Sequence, residues 1–345
     1  MSPGNGERMS VEQDQPVLSA RGLSVTFPGR RGGPPARAVD GVDLDVHPAE
    51  ILALVGESGC GKTTLARTLM GLERPSAGEV RFAGVALDYS TRSLRAYRRR
   101  VQLVLQDPTG SLNPRHSVYE AVAEGVRIHG AEAFGSFGNE EAKVADALSR
   151  AGLRPPERFF RRYPHELSGG QRQRVVIAGA LVLDPRVIVA DEPVASLDAS
   201  VRGEILKLLL ALRDDSGLSA LVVTHDLGLA WNVADRVAVM YLGRIVETGP
   251  VETILRSPRH PYTQALLSVA STGAGSAAVI LGGEPPDPSR IPAGCRFHPR
   301  CPALGSGAAA AAGVEAACRA VDPGALPGGR GAAVACHLFP RPRDP

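Results

Sequence analysis

The chain has 345 residues, which is long enough for one large domain or two ordinary domains with a substantial core. Its 39 basic and 36 acidic residues leave a net charge of +3, which argues against the strong positive field of a nucleic-acid-binding protein. No apolar run approaches the roughly 20 residues that span a bilayer, and the polar N-terminus lacks the regions of a secretory signal. We therefore expect a soluble intracellular protein whose membrane-spanning partners would be separate chains.

The first segments predict a tail and two strands. Residues 1–16 are polar and predict a mobile tail. Apolar residues then indicate strands near Val17–Phe27 and Ala38–Val46, separated by a loop rich in Gly, Pro and Arg.

A phosphate-binding loop is predicted after the apolar run Ile51–Val55. The string GESGCGKT, Gly56–Thr63, has the glycines, lysine and hydroxyl of that pattern, and a preceding strand is its expected context. Its backbone N–H groups would surround phosphates, and the helix expected from near Lys62 to about Leu72 would direct its positive end towards them. A glycine-rich structural turn is the alternative. The predicted nucleotide contacts are Gly56, Glu57, Ser58, Gly59, Cys60, Gly61, Lys62, Thr63 and Thr64.

The middle of the chain changes from strands to helices. Strands are indicated near Glu79–Phe82 and Val101–Leu105. The basic run Arg92–Arg100 between them predicts a solvated helix face, with a nucleic-acid patch as the alternative. Residues 106–174 then predict helices separated by Gly- and Pro-rich breaks.

A second buried strand is predicted to end in two carboxylates. The run Val187–Ala190 is short and rich in Val and Ile, as strands buried on both faces are, and Asp191 and Glu192 follow it. Ligands of an open parallel sheet bind outside the carboxyl ends of its strands. We therefore expect Asp191 and Thr63 to hold Mg²⁺ and Glu192 to orient or deprotonate water. A pair of acids that only caps a helix after Pro193 is the alternative.

The remaining apolar runs complete the fold prediction. Ala220–Val223 and Val237–Tyr241 are further buried-strand candidates. Alternating helices and apolar strands predict an α/β fold with a layered, mostly parallel sheet.

The string LSGGQRQRV, which begins at Leu167, distinguishes this chain from other users of the phosphate loop. It resembles the signature of ATP-binding cassette (ABC) proteins, and VLQDP, SLD and VVTHD occur in the order and spacing of that family. The resemblance implies an ABC-type ATPase domain with an antiparallel β subdomain and a helical subdomain at about 106–174.

The resemblance also implies how ATP is bound. The family pairs two such domains head to tail, so that the signature of one faces the γ-phosphate held by Lys62 of the other. Gln106 would sense Mg²⁺ and the attacking water, and His225 would grip the γ-phosphate. A ring would stack on adenine, and Phe27 is the candidate, with a place in the core as its alternative. The implied contacts from the paired domain are Ser168, Gly169, Gly170, Gln171 and Asp198.

Sequences outside the nucleotide site resemble the ATPase subunits of bacterial dipeptide, oligopeptide and nickel importers. They are QDPTGSLNPR from Gln106, YPHELSGGQRQR from Tyr163 and, above all, SPRHPYTQALL from Ser257. The implied function is ATP hydrolysis that powers import of peptides at the cytoplasmic face of the membrane. The implied partners are a second ATPase of the same or a related chain, two permease subunits and an extracytoplasmic solute-binding protein.

Alternatives to this function stay open. Other subunits select the cargo, so nickel or another small solute is the alternative to peptides. Soluble cassette proteins of DNA repair or translation and exporter ATPases are further alternatives, although this chain has neither long coiled coils nor a second cassette.

The C-terminal region predicts a small cysteine-containing extension. Four of the five cysteines lie there: Cys295, Cys301, Cys318 and Cys336. Disulfides are not expected in a reducing cytosol, whereas four thiolates can ligate zinc or a [4Fe–4S] cluster, which the resemblance implies for some family members. The second and third cysteines are widely spaced, and His298 and His337 are rival ligands. Four free thiols are therefore the remaining alternative. The predicted boundaries are a tail at 1–16, an ATPase domain at 17–270, a linker at 271–290 and the extension at 291–345.

Overall fold

The computed structural model describes residues 15–29, 32–130, 138–195, 197–270 and 281–339. The strands in chain order are β1 (Leu18–Phe27), β2 (Ala36–Val46), β3 (Ile51–Val55), β4 (Ala77–Phe82), β5 (Val85–Ala86), β6 (Val101–Val104), β7 (Val187–Asp191), β8 (Ser219–Thr224), β9 (Arg236–Tyr241), β10 (Arg244–Pro250) and β11 (Ala333–Val334). Nearly all of the predicted tail and half of the predicted linker lie outside the described residues.

The helices alternate with these strands. In chain order they are α1 (Lys62–Leu69), α2 (Thr91–Arg100), α3 (Pro108–Ser111), α4 (Val118–His129), α5 (Glu140–Arg150), α6 (Glu157–Phe160), α7 (Gly169–Leu181), α8 (Ala199–Ser216), α9 (Leu227–Val233), α10 (Val251–Arg256), α11 (Pro261–Ala270), α12 (Pro302–Gly305), α13 (Ala308–Ala311) and α14 (Glu315–Ala320). Within the described ranges, none of them combines the length and the apolar character needed to cross a membrane.

The chain forms two compact units. The described part of the first unit comprises 15–17, 47–51, 87–130, 138–195 and 197–223, and that of the second comprises 18–29, 32–46, 52–86, 224–270 and 281–339. The second unit therefore holds both the phosphate loop and the cysteine-containing segment. The domain limits predicted from the sequence stay a prediction.

The first unit has a fully parallel set of strands in the order β8-β7-β6. Residues Val187–Ala190 of β7 are buried, which confirms the predicted two-sided burial. Helices α3 to α7 occupy the segment that was predicted to be helical. The basic run forms α2, which begins at the cap Ser90 and buries Tyr97.

The second unit contains two sheets. One is antiparallel, in the order β2-β1-β4-β5, as the resemblance implied. In the other, β3 pairs in parallel with β9, while β10 and β11 add two antiparallel strands beyond β9. The pairs β3-β9, β6-β7 and β7-β8 are parallel, which agrees with the predicted mostly parallel sheet, while β10 and β11 add antiparallel pairs that make it mixed.

Candidate functional site

The phosphate loop is a preformed backbone cradle in the second unit. Gly56 follows β3, and Gly61 precedes α1 with a φ of +109°. A Cβ on Gly56 would lie 2.2 Å from the Met240 carbonyl oxygen, and one on Gly61 would lie 2.1 Å from that of Ala38. Both positions therefore exclude a side chain, which explains the glycines and favours a built loop over a generic turn.

Lys62 is buried at the start of α1, and its ammonium group is already oriented by the loop. Its Nζ donates to the carbonyl oxygens of Gly56 at 2.7 Å and Glu57 at 2.8 Å. The other predicted contacts surround it with graded exposure: Ser58, Gly59 and Thr63 are exposed, Glu57, Gly61 and Thr64 are half-buried, and Gly56 and Cys60 are buried. Burial also raises the pKa of the Cys60 thiol, so this cysteine is a packing residue at neutral pH.

Two residues that the sequence did not single out contact this loop. The Glu57 N–H donates to the Tyr262 hydroxyl at 2.8 Å, and the Glu57 carboxylate accepts from Arg300 at 2.7 and 3.1 Å. Tyr262 lies in the HPYT segment, whose family resemblance was a signal. Nothing in the local pattern around Arg300 indicated its contact, which joins positions 243 residues apart.

The second unit also carries the predicted histidine and adenine-stacking ring. His225 follows β8 and is exposed, next to Asp226, which caps α9 by accepting from the backbone N–H groups of Gly228 and Leu229. Phe27 ends β1 and is 39% exposed. A core position, the alternative for Phe27, is therefore wrong.

The first unit brings together Gln106 and Glu192. The Gln106 Nε2 donates to the Glu192 Oε2 at 3.3 Å. Asp191 is the last residue of β7 and is half-buried. Glu192 has a φ of +49°, a left-handed conformation that costs a non-glycine residue on the order of 1 kcal/mol and clusters at functional sites. Pro193 lies in a turn and not at a helix start, so the helix-cap alternative for the acidic pair is wrong.

The signature residues lie at the exposed start of α7. The Ser168 hydroxyl accepts from the Gln171 N–H at 3.3 Å, while the Gln171 side-chain oxygen accepts from the Ser168 N–H at 3.1 Å. Ser168 and Gly169 are exposed, whereas a Cβ on Gly170 would lie 2.5 Å from the Val201 side chain. Asp198 is exposed at the start of α8. The capping box thus holds a helix N-terminus open to solvent, which is a geometry that suits an anion.

The four cysteines of the C-terminal segment line one small cavity. Its wall contains Cys295, Cys301, Cys318, Cys336, His298 and His337. Burial raises the pKa of Cys295 to about 11 and that of Cys336 to about 12. The cavity volume of about 10 Å³ has room for roughly one water molecule. Among the described residues, no three His, Cys, Asp or Glu side chains are arranged to hold a metal ion. The donors are gathered, but as they stand they do not fit zinc or a cluster.

Two family profiles match the chain. The profile described as "ABC transporter" matches residues 39–195, and that described as "Oligopeptide/dipeptide transporter, C-terminal region" matches residues 246–306. The second match spans the HPYT segment and the first two cysteines of the extension.

The chain is also similar to individual proteins of the same kind. The dipeptide transport ATP-binding protein DppF of Haemophilus influenzae is 42% identical over 301 residues, which cover 84% of this chain and 90% of that protein. The oligopeptide transport ATP-binding protein AppF of Bacillus subtilis is 40% identical over 306 residues, which cover 85% and 92%. Among solved structures, the dimeric ATP-binding cassette MJ0796 in a post-hydrolysis state, bound to ADP and Pi, matches with a TM-score of 0.59 and 28% identity over 68% of this chain and 98% of that chain.

These matches confirm the resemblance on which the sequence interpretation depends. The mixed sheet, the antiparallel β subdomain and the phosphate loop are those of an ABC ATPase. The chain belongs to the ABC transporter ATP-binding subunits of the oligopeptide/dipeptide family.

Proposed function

We propose that this chain hydrolyses ATP to power the import of dipeptides or oligopeptides through a separate membrane permease. One observation carries the proposal: a phosphate loop with a buried, preoriented lysine occurs in the same chain as an importer-type C-terminal region. A loop of this kind binds the phosphates of a nucleoside triphosphate. The C-terminal region distinguishes importer ATPases of this family from other cassette ATPases. The cargo is supported by the dipeptide and oligopeptide transporters named among the relatives.

The second unit would hold the nucleotide. The loop N–H groups would surround its phosphates, and Lys62, whose Nζ is held beside the loop by two of its carbonyls, would neutralise the outer ones. The exposed His225 would bind the γ-phosphate. The exposed ring of Phe27 would stack on adenine.

The residues proposed for Mg²⁺ carry suitable donors. The hydroxyl of Thr63, the carboxylate of Asp191 and the amide oxygen of Gln106 are the hard oxygen ligands that Mg²⁺ prefers. When bound, Mg²⁺ would offset the negative charge that develops on the phosphates. Glu192 would orient the attacking water and accept its proton as the bond between the γ-phosphorus and the leaving ADP oxygen breaks. The hydrogen bond from Gln106 supports this role, because it keeps the Glu192 carboxylate in one position.

ATP would also join two subunits. Ser168 and Gly169 of one ATPase would contact the γ-phosphate held by Lys62 of a second ATPase, which is this same chain or a related one. The exposed capping box at α7 supports this role, and so does the dimeric state of the similar cassette. Asp198 would lie at the same interface. Loss of the γ-phosphate by hydrolysis would then open the pair.

The transport complex would place this chain at the cytoplasmic face of the membrane. Two permease subunits would span the bilayer, and an extracytoplasmic solute-binding protein would deliver the cargo. ATP-driven closure of the ATPase pair would move the permease, and hydrolysis would reset it.

Uptake by vesicles that contain the reconstituted complex tests this function. Labelled dipeptides, longer peptides and nickel are supplied in parallel, and a complex carrying Glu192→Gln is the control. We expect ATP-dependent uptake of peptides that the control does not support. Uptake of nickel alone would mean that the cargo is nickel and not peptides. The absence of ATP-dependent uptake of all three compounds would contradict the proposal.

A [4Fe–4S] cluster in the extension stays a separate prediction: the four cysteines line one cavity, but the described side chains would have to rearrange to hold a metal ion. No step of hydrolysis or transport depends on it. Protein purified without oxygen should contain iron and absorb broadly near about 400 nm. Colourless protein without iron would contradict the cluster and leave the cysteines as free thiols.

A further inference from the structure

Glu57, the second residue of the phosphate loop, is held by the C-terminal part of the chain. Its carboxylate makes a two-bond ion pair with Arg300, and the side chains are only 24% and 6% exposed, respectively. Such a bidentate, sheltered pair is stronger and more directional than an exposed ion pair. The Arg300 guanidinium also lies 6.0 Å from the centre of the Tyr241 ring, which restricts it further.

A second contact fixes the Glu57 backbone. The Tyr262 hydroxyl accepts from the Glu57 N–H, and the Tyr262 ring is fully buried. This ring packs against those of Tyr241 and Phe297, with centroids 4.7 and 5.4 Å away. Because its hydroxyl sits on a packed aromatic cluster, Tyr262 can hold the Glu57 peptide group at a defined place.

These contacts continue directly to the lysine. The carbonyl oxygen of Glu57 is one of the two backbone carbonyls of the loop that accept from the Lys62 Nζ, beside a longer contact to the Cys60 Sγ. A shift of Glu57 would therefore move both the loop backbone and an anchor of the ammonium group. Arg300 itself is engaged by Glu57, so it acts on Lys62 through Glu57 and not on a nucleotide.

The extension is docked independently of Arg300. Arg296 donates to the Leu242 carbonyl oxygen at 2.6 Å and pairs with Asp40. Arg244 makes two bonds to Asp322, at 2.8 and 2.7 Å. Removing the Arg300 side chain should therefore release the loop without undocking the extension.

From this geometry we propose that Arg300 and Tyr262 are positioning residues that hold the phosphate loop in its ATP-binding shape through Glu57. The inference rests on the proposed function of that loop. Affinity for ATP then depends on the docked C-terminal extension, whereas the chemical step does not. Loss of either contact should weaken ATP binding more than it slows turnover at saturating ATP.

The test is steady-state hydrolysis by the reconstituted complex together with ATP binding by the full chain. Arg300→Ala and Tyr262→Phe should each raise the KM and the Kd for ATP by roughly tenfold, the effect of one lost buried polar contact, while kcat stays within about twofold. Arg300→Lys should recover part of the affinity. Asp322→Asn is the matched control: it weakens the contact with Arg244 while Arg296 keeps the extension docked, so the KM should stay unchanged.

A double-mutant cycle shows whether Arg300 acts through Glu57. In a Glu57→Gln background, Arg300→Ala should produce no further rise in the KM. A second rise of similar size would mean that Arg300 contacts the nucleotide itself, and unchanged KM values in both single variants would also overturn the proposal. Lys62→Ala distinguishes a failure of the proposed function from a failure of this inference. Normal ATP binding by the Lys62 variant would refute the proposed function of the loop. If that variant loses ATP binding while the Arg300 and Tyr262 variants bind normally, only the positioning role is refuted.

Discussion

The phosphate loop of the second unit and the signature edge of the first unit are built differently. The loop is closely packed around its lysine, which is buried. A Cβ on Gly56 or Gly61 would collide with a backbone oxygen, and Tyr262 and Arg300 hold Glu57. The signature edge is open. Ser168 and Gly169 face solvent and are organised by a local capping box.

This difference indicates what each region has to do. A loop that is rigid before ligand arrives can bind phosphates without reorganising its dipoles. An exposed helix start lacks this enclosure and remains accessible to a phosphate that a second molecule holds. The structural contrast therefore agrees with a switch in which one subunit binds ATP and a second subunit completes its enclosure.

In the first unit, Glu192→Gln should have the largest effect on hydrolysis. Glutamine keeps the size of the side chain but cannot accept a proton, so hydrolysis should slow at least about a hundredfold while ATP binding persists. The assay is phosphate release together with ATP binding by the full chain. Glu204→Gln, an exposed position on α8, is the control and should hydrolyse ATP normally. Near-normal turnover of this variant would show that Glu192 is not the base that accepts the proton of the attacking water.

Ser168→Asp should separate the capping role of this residue from its role towards ATP. Aspartate is an equally good cap, so the free energy of unfolding should be preserved, whereas its charge would oppose the γ-phosphate. We expect hydrolysis to fall at least about tenfold, with ATP binding by the isolated subunit retained.

The matched control for this variant is Ser117→Asp, because Ser117 starts α4 with the same kind of capping box. It should be active. Equal loss of activity in both variants would show that the capping box, and not the signature, is what the chain needs.

Gly56→Ala tests the enclosed region. The added methyl would lie 2.2 Å from the Met240 carbonyl oxygen, so the loop must shift and ATP affinity should fall by about tenfold. Gly203→Ala is the control, because its Cβ would meet open space among the described residues and alanine favours the helix by about 1 kcal/mol. Equal ATP affinity in Gly56→Ala and the wild type would mean that the loop is not rigid.

The strand segments and the phosphate loop were predictable because local patterns encode them. Glycines at fixed spacing and short Val-rich runs specify backbone shape within a few residues. Strand β11 and the pair between Glu57 and Arg300 could not be predicted in this way, since they depend on contacts between distant segments. The cysteines show the same limit: the sequence allowed a cluster, zinc or free thiols, and only the structure shows that the four cysteines line one cavity.

The smallest expected effect concerns His260, which is 1% exposed and accepts from the Tyr262 N–H through its Nδ1. Burial lowers its pKa from the usual 6.5 to about 3. The unfolded chain therefore gains a proton near pH 6.5 that the folded chain does not, and stability decreases as the pH falls through this range. His260→Asn should lose about 2 kcal/mol less than the wild type between about pH 7 and 5.

Urea unfolding at both pH values measures this difference. The buried carboxylate of Glu247, which accepts from the His260 N–H, has its pKa raised by burial and acts in the opposite direction. It is present in both proteins, so the comparison isolates the histidine. Equal pH dependence of the two proteins would mean that folding does not lower the pKa of His260.

The most direct test of the switch is the mass of the Glu192→Gln chain in solution with saturating ATP and Mg²⁺, measured by light scattering alone and with the second ATPase of its transport complex. The account predicts twice the monomer mass with ATP and a return to the monomer mass with ADP. The chain that carries both Glu192→Gln and Ser168→Asp should keep the monomer mass with ATP. A monomer under every one of these conditions would contradict the claim that ATP joins two subunits.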